Sequence, residues 1–163
     1  MPKKSISTKA RRTPRLYTVR KSGIHGKGVF AATVIPKGAR IIEYKGKRMT
    51  TEEADAHYGP YEKTEVVLLF SVDDSTVIDA AVGGNSARFI NHSCAPNCEA
   101  VDENGRIFIE SLRRIEPGEE LAYDYNLQLD ARERRKSAEL YPCRCGSRRC
   151  RGTLAEPRRR KDS

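Results

Sequence analysis

The sequence predicts a β-rich domain of small sheets with a few short helices. Three observations lead there: many short runs that alternate or carry β-branched residues, frequent Gly and Pro between them, and little helical pattern. At 163 residues the chain suits one domain with a sizeable core and is short for two.

Taken in order, residues 1–15 are rich in Lys, Arg, Ser and Thr, bury little, and are expected to be disordered. Residues 16–20 alternate as a strand does. Residues 22–28 form a loop in which Gly23, Gly26 and Gly28 allow positive φ and close approach to a small polar ligand, with a plain tight turn as the alternative. Residues 29–32 read as a short strand, 35–38 as a turn, and 39–44 as a further strand broken by Gly46. Thr50 and Glu53 have the spacing of a capping box, so a short helix starts there and ends before Gly59-Pro60. Residues 65–72 and 76–79 are β-branched-rich strands around the turn 73–75. Residues 99–101 and 106–109 flank Asn104-Gly105, a strong hairpin signal. The turn 115–120 leads into an extended run at 121–126. Residues 127–140 look helical, with Asp130 and Arg134 one turn apart on one face.

Charge sits at the ends. Residues 1–15 contribute +6 and residues 157–163 contribute +3, which together make the whole net charge of +9. Such tails suit contact with a polyanion, DNA or acidic protein, or serve solubility alone. No apolar run follows the early lysines as a secretory signal would require, and no stretch approaches the roughly 18 apolar residues of a membrane span. An intracellular, reducing compartment is therefore expected, where clustered cysteines bind metal more often than they pair.

Asn91-His92-Ser93-Cys94 sets an amide, an imidazole, a hydroxyl and a thiol in a row directly after Phe89-Ile90. Each such group needs a partner if buried, and Pro96-Asn97 marks a turn just beyond. Cys143, Cys145 and Cys150 lie within eight residues of one another. Zinc favours four thiolates, so three leave one position open, and either Cys94 or Cys98 can fill it. Free surface cysteines are the bland alternative. Four thiolates leave no open position for water, which favours a structural ion over a catalytic one.

These residues resemble the SET-domain protein lysine methyltransferases. Arg88-Phe89 through Asn91-His92-Ser93-Cys94 and Pro96-Asn97-Cys98 are similar to the family's central motif. Gly26-Lys27-Gly28 resembles its cofactor loop, and Glu43-Tyr44-Lys45-Gly46 its Glu-Tyr-x-Gly strand. Gly118-Glu119-Glu120-Leu121 through Asp124-Tyr125-Asn126 resembles its last core motif, and residues 143–154 its zinc-binding post-SET tail. The motifs keep the family's order. Two departures stand out: Lys47 replaces a glutamate common after the glycine, and no cysteine-rich region precedes residue 16.

The resemblance implies a pseudoknot-like crossing, in which the last core segment threads beneath the loop holding Asn91 and His92. It implies S-adenosylmethionine as methyl donor, held by His25, Gly26, Lys27, Gly28, Arg88, Asn91 and His92. Tyr125, Tyr44 and Tyr123 are the implied catalytic residues, and Cys94, Cys143, Cys145 and Cys150 the implied Zn2+ ligands, with Cys98 a packed thiol. The implied substrate is a lysine of a basic, histone or nucleoid-like protein, added as a strand to the sheet edge within residues 61–72. The implied segments are a tail to residue 15, a catalytic domain over 16–126, a helical connector over 127–141, a zinc-binding segment over 142–156 and a second tail. Tyr123, two residues before Tyr125, is expected to share its strand face and to limit how many methyl groups are added. A monomer is expected, with dimerisation open, and the setting is cytoplasm or nucleoid in a bacterium and nucleus in a eukaryote or as a host-delivered effector. Two other classes compete: a binding module using the same fold and its basic tails to hold DNA, and a zinc-ribbon-like DNA binder. The latter is disfavoured because the cysteines do not form two paired clusters.

Overall fold

A computed structural model describes residues 15–59 and 68–157; both basic tails therefore lie outside the described residues, apart from Arg15 and Pro157. Among the described residues the strands are β1 Tyr17–Lys21, β2 Lys27–Ala31, β3 Arg40–Glu43, β4 Lys47–Thr50, β5 Leu69–Ser71, β6 Thr76–Asp79, β7 Asn91–His92, β8 Cys98–Glu103, β9 Arg106–Ser111 and β10 Glu120–Tyr123. They form three small sheets, ordered β1-β2-β10-β7, β3-β9-β8 and β4-β6-β5. The β-rich reading of the sequence holds.

The local signals act where expected. Asn104 (φ 53) and Gly105 (φ 77) both take positive φ, which matches the right-handed twist of the β8–β9 hairpin. Helix α1 (Thr51–Tyr58) is capped by Thr50, whose hydroxyl accepts from Glu53 N while the Glu53 carboxylate accepts from Thr50 N. Helices α2 (Ala131–Arg135) and α3 (Ser137–Leu140) are shorter than the predicted 127–140 run. Asp130 caps α2 and lies one turn from Arg134, whose N donates to Asp130 O at 2.9 Å, while the Arg134 side chain pairs with Glu156 at 2.7 Å. Of the predicted strand 65–72, residues 65–67 lie outside the described residues.

Core side chains from all three sheets meet in one cluster, in which Val29, Ile35, Ile109, Ile115 and Leu121 are fully buried. Burying each such side chain is worth about 1.5–3 kcal/mol. The core fixes β10, and β10 positions the site. It runs antiparallel to β2 and parallel to β7, with Ala122 opposite Asn91 and Tyr123 opposite His92. The loop after β7 then closes over it: Ser93 N donates to Tyr123 O (3.1 Å) and Asn97 N to Ala122 O (3.2 Å). The Asn97 side chain adds a bond at each end, accepting from Ala122 N and donating to Glu120 O. This is the crossing the resemblance implied.

Candidate active site

Consecutive residues, Ile90 and Asn91, touch two different sites. On one side, Asn91 Nδ2 donates to His25 O (3.2 Å), Lys27 O (3.1 Å) and Glu120 Oε1 (2.9 Å), holding the glycine loop against the crossing. Ser22 Oγ donates to the same carboxylate oxygen at 2.7 Å. A Cβ at Gly28 would meet Glu120 Oε1, so a side chain there would push the carboxylate away from Asn91 and Ser22. Asn91 is buried and its amide protons are committed to the loop carbonyls and Glu120, which leaves Oδ1 to accept from a ligand. An amide oxygen beside a carboxylate suits an ammonium group. The Phe89 ring carries two cations, Lys27 at 5.1 Å and Arg88 at 4.7 Å, so it also joins the loop to the 3-10 turn Ser86–Phe89.

Across the crossing lies a cleft of about 490 Å³ whose walls include Tyr44, Phe70, Tyr123 and Tyr125. Ring centroids are 5.2 Å apart for Tyr44–Phe70, 6.3 Å for Phe70–Tyr123 and 4.9 Å for Tyr123–Tyr125. Tyr44 is tethered by its hydroxyl to Leu68 O, and Tyr125 by its hydroxyl to Ile90 O at 2.8 Å. Burial raises the pKa values of Tyr44, Tyr123 and Tyr125 above the ordinary phenol value. At neutral pH all three are neutral phenols, so none serves as a base by giving up its proton first.

The expectation that Tyr123 and Tyr125 share a strand face is corrected. β10 ends at Tyr123, and Asn126 has φ 48. The two rings meet because Tyr125 N donates to His92 Nδ1 at 3.0 Å, which brings the chain back toward the channel after the strand has stopped. His92 is buried (4 % exposed), and its burial lowers its pKa to about 4, against the opposing pull of Asp124. Asp124 Oδ1 lies 3.5 Å from Nδ1, longer than the bond from Tyr125 N. Both Asp124 oxygens are already taken by Arg151, at 2.7 and 2.8 Å. The imidazole is therefore neutral and carries its proton on Nε2.

Cys94, Cys143, Cys145 and Cys150 come together, their sulfurs all within 4.8 Å of one another. Cys94 Sγ and Cys143 Sγ are 3.7 Å apart, and a tetrahedron with metal–sulfur bonds of about 2.3 Å has edges near ~3.8 Å. Backbone N–H groups of Arg151 and Gly152 donate to Cys94 and Cys150 sulfurs. Burial pushes the Cys143 thiol up, while backbone and side-chain hydrogen bonds overcome burial at Cys145 and bring it to about 6. A clustered set of this kind sheds its remaining protons when a divalent cation enters. Of Cys94 and Cys98, it is Cys94 that joins the cluster. Cys98 is fully buried, and burial pushes it up to about 12.

Several residues of the site escaped the sequence reading. Phe70 was hidden in a strand assigned only by its β-branched neighbours. Glu120 was noted within its motif without a role. Arg151, which clamps Asp124 and donates to Ala155 O, was one basic residue among many. Nothing local marks it, since its partner is 27 residues away.

The family model described as "SET domain" matches residues 26–126. The chain is 42 % identical over 139 residues to "Histone-lysine N-methyltransferase trithorax" of Drosophila virilis, covering 82 % of this chain and 3 % of the relative. It is 43 % identical over 140 residues to "Histone-lysine N-methyltransferase, H3 lysine-4 specific" of Emericella nidulans, covering 82 % and 11 %. It is 40 % identical over 141 residues to human "Histone-lysine N-methyltransferase 2B", covering 83 % and 5 %. The chain thus spans a small part of each relative's length. The matched span holds Gly26–Gly28 of the loop, the tyrosines, the crossing and Cys94, and on that evidence the chain belongs to the SET domain family.

Proposed function

We propose that the chain is a protein-lysine N-methyltransferase that uses S-adenosylmethionine and acts on a histone-type chromatin protein. The observation that carries this reading is the back-to-back arrangement of cradle and aromatic channel: Ile90 O holds Tyr125 while Asn91 holds the glycine loop. The relatives' names support a histone substrate and a chromatin setting.

S-adenosylmethionine, when bound, supplies a methyl group on a positively charged sulfur. The residues that would hold it are the loop His25–Gly26–Lys27–Gly28, Arg88, Asn91 and His92, with Asn91 Oδ1 and the Glu120 carboxylate as acceptors for its ammonium group. The four cysteines would hold zinc, which ties residues 143–152 to Cys94 and leaves no position for water.

The channel aligns the lysine amine and excludes water, and alignment carries much of the catalysis. A lysine ammonium, with an ordinary pKa of about 10.4, is not nucleophilic. Burial among Tyr44, Phe70, Tyr123 and Tyr125 lowers that value and favours proton loss before attack. The Tyr125 proton is committed to Ile90 O, so its oxygen acts as an acceptor that orients the amine. Calorimetry tests the cofactor half. One donor site per chain is expected, weakened in Asn91→Ala by the lost cradle, whose unsatisfied partners cost about 1–3 kcal/mol. A folded wild-type chain that binds no donor contradicts the reading.

The substrate peptide adds to the outer edge of β5, which pairs only with β6 among the described residues and faces the cleft beside Leu127–Leu129. Residues 61–67 of the proposed edge lie outside the described residues. Proline scanned through the positions flanking the target lysine should abolish methylation at one or more of them; a peptide tolerant of proline throughout contradicts strand addition.

Tyr123 limits the product to monomethyllysine, with some dimethyl at long times, because its phenol can keep an ordered water where further methyl groups would sit. Tyr123→Phe should shift products toward di- and trimethyllysine without loss of the first transfer. Intact-mass counting through a time course reads this directly, and early trimethyl product from the wild type would rule the idea out.

A further inference from the structure

We infer that His92 is a positioning residue that couples the four-sulfur cluster to the placement of Tyr125 in the channel. The inference rests on the reading of that cluster as a metal site and of Tyr125 as a channel wall. Both imidazole nitrogens are engaged, and by different parts of the protein. Nδ1 accepts from Tyr125 N at 3.0 Å, which puts the proton on Nε2, and Nε2 lies 3.3 Å from Cys94 Sγ. The ring is therefore a rigid strut with a metal-ligand sulfur at one end and the backbone of Tyr125 at the other.

Alternative partners do not compete for it. Asp124 is the charged group nearest Nδ1, but its carboxylate is occupied by the Arg151 guanidinium and by Asn126 N at 3.1 Å. The Tyr125 ring stands edge-on to the imidazole, with centroids 5.3 Å apart, so a shift of either ring displaces the other. Tyr125 is beyond the end of β10, so no strand pairing holds it in register. Its position depends on two bonds: N to His92 and hydroxyl to Ile90 O. An N–H donated to a ligating sulfur orients it and tunes its hold on the metal, and the strut passes the sulfur's position on to Tyr125.

Two substitutions separate the ends of the strut. The oxygen of Asn stands near where imidazole Nδ1 stands, and the amide nitrogen of Gln near Nε2. His92→Asn retains the acceptor for Tyr125 N and removes the donor to Cys94; His92→Gln does the reverse. The experiment measures three quantities on the full chain: zinc affinity against a chromogenic chelator, the Tyr125 amide resonance in an 15N–1H spectrum, and kcat in excess zinc. The Asn variant is expected to lose about 10–100-fold in zinc affinity while its Tyr125 amide stays near the wild-type position. The Gln variant is expected to keep zinc affinity within about threefold, move the Tyr125 amide, and lose about tenfold to a hundredfold in kcat, the scale of a small misplacement. A histidine that only fills space gives parallel losses in both variants, and a histidine without a role leaves both unchanged; either result overturns the inference. A wild-type chain that takes up no zinc fails before any variant is compared, and it overturns the metal reading together with the strut. If the wild type binds zinc but transfers no methyl group, zinc affinity and the Tyr125 amide still decide the role of His92.

Discussion

Cys94→Ser is expected to release the metal and abolish peptide methylation while the three sheets stay folded. The segment 143–156 has little core of its own: of residues 141–157, only Tyr141 and Ala155 are buried. What else holds it is the Arg151–Asp124 pair and backbone bonds such as Leu127 N to Leu154 O and Glu156 N to Leu127 O. Structural zinc contributes about 10–16 kcal/mol of apparent binding energy in small zinc-dependent folds, whereas hydrogen bonds contribute about 1 kcal/mol each. A bound zinc would dominate. The main core around Val29, Ile35, Ile109 and Leu121 lies elsewhere, so the sheets survive. Metal analysis should find one zinc per wild-type chain and none in the variant, and full activity in a metal-free preparation would contradict the four-thiolate site.

The second large effect concerns the channel. Tyr125→Phe loses one hydroxyl and its bond to Ile90 O, a cost of about 1 kcal/mol that the fold tolerates. Turnover should fall by about an order of magnitude or more, the scale for one positioned polar group at a reacting amine. The backbone bond from Tyr125 N to His92 is untouched, so the backbone of residue 125 keeps its tether while the ring loses its bond to Ile90 O. Circular dichroism and thermal unfolding should match the wild type while kcat drops. A wild-type rate in the Phe variant would remove Tyr125 from the role given to it.

The sequence disclosed those elements whose causes are local. Asn104-Gly105 specifies its hairpin through backbone φ, and Thr50 with Glu53 caps α1 through two short-range hydrogen bonds. β4 was not predicted, because Lys47-Arg48-Met49-Thr50 is mostly exposed and is extended only through its pairing with β6. The end of β10 was misplaced for a similar reason: residues 121–126 look uniformly extended, yet backbone pairing stops at Tyr123 and His92 takes over. At the site, Asn91, His92 and the cysteines were legible as consecutive polar groups and clustered thiols. Glu120, Asp124 with Arg151, and Phe70 were not, since their roles arise only after the crossing brings distant segments together.

In the proposed function, the tyrosine channel and the Asn91–Glu120 cradle together move a methyl group from S-adenosylmethionine to a protein lysine. The most direct test incubates the zinc-loaded chain with isotope-labelled donor and purified histones, then maps modified residues by mass spectrometry, with Tyr125→Phe in parallel. The account predicts label on the side-chain nitrogen of one or a few lysines, chiefly as monomethyllysine, and much less of it from the variant. Absence of label on any lysine, from a folded wild-type chain that carries zinc and binds the donor, or equal labelling by the two proteins, would contradict it.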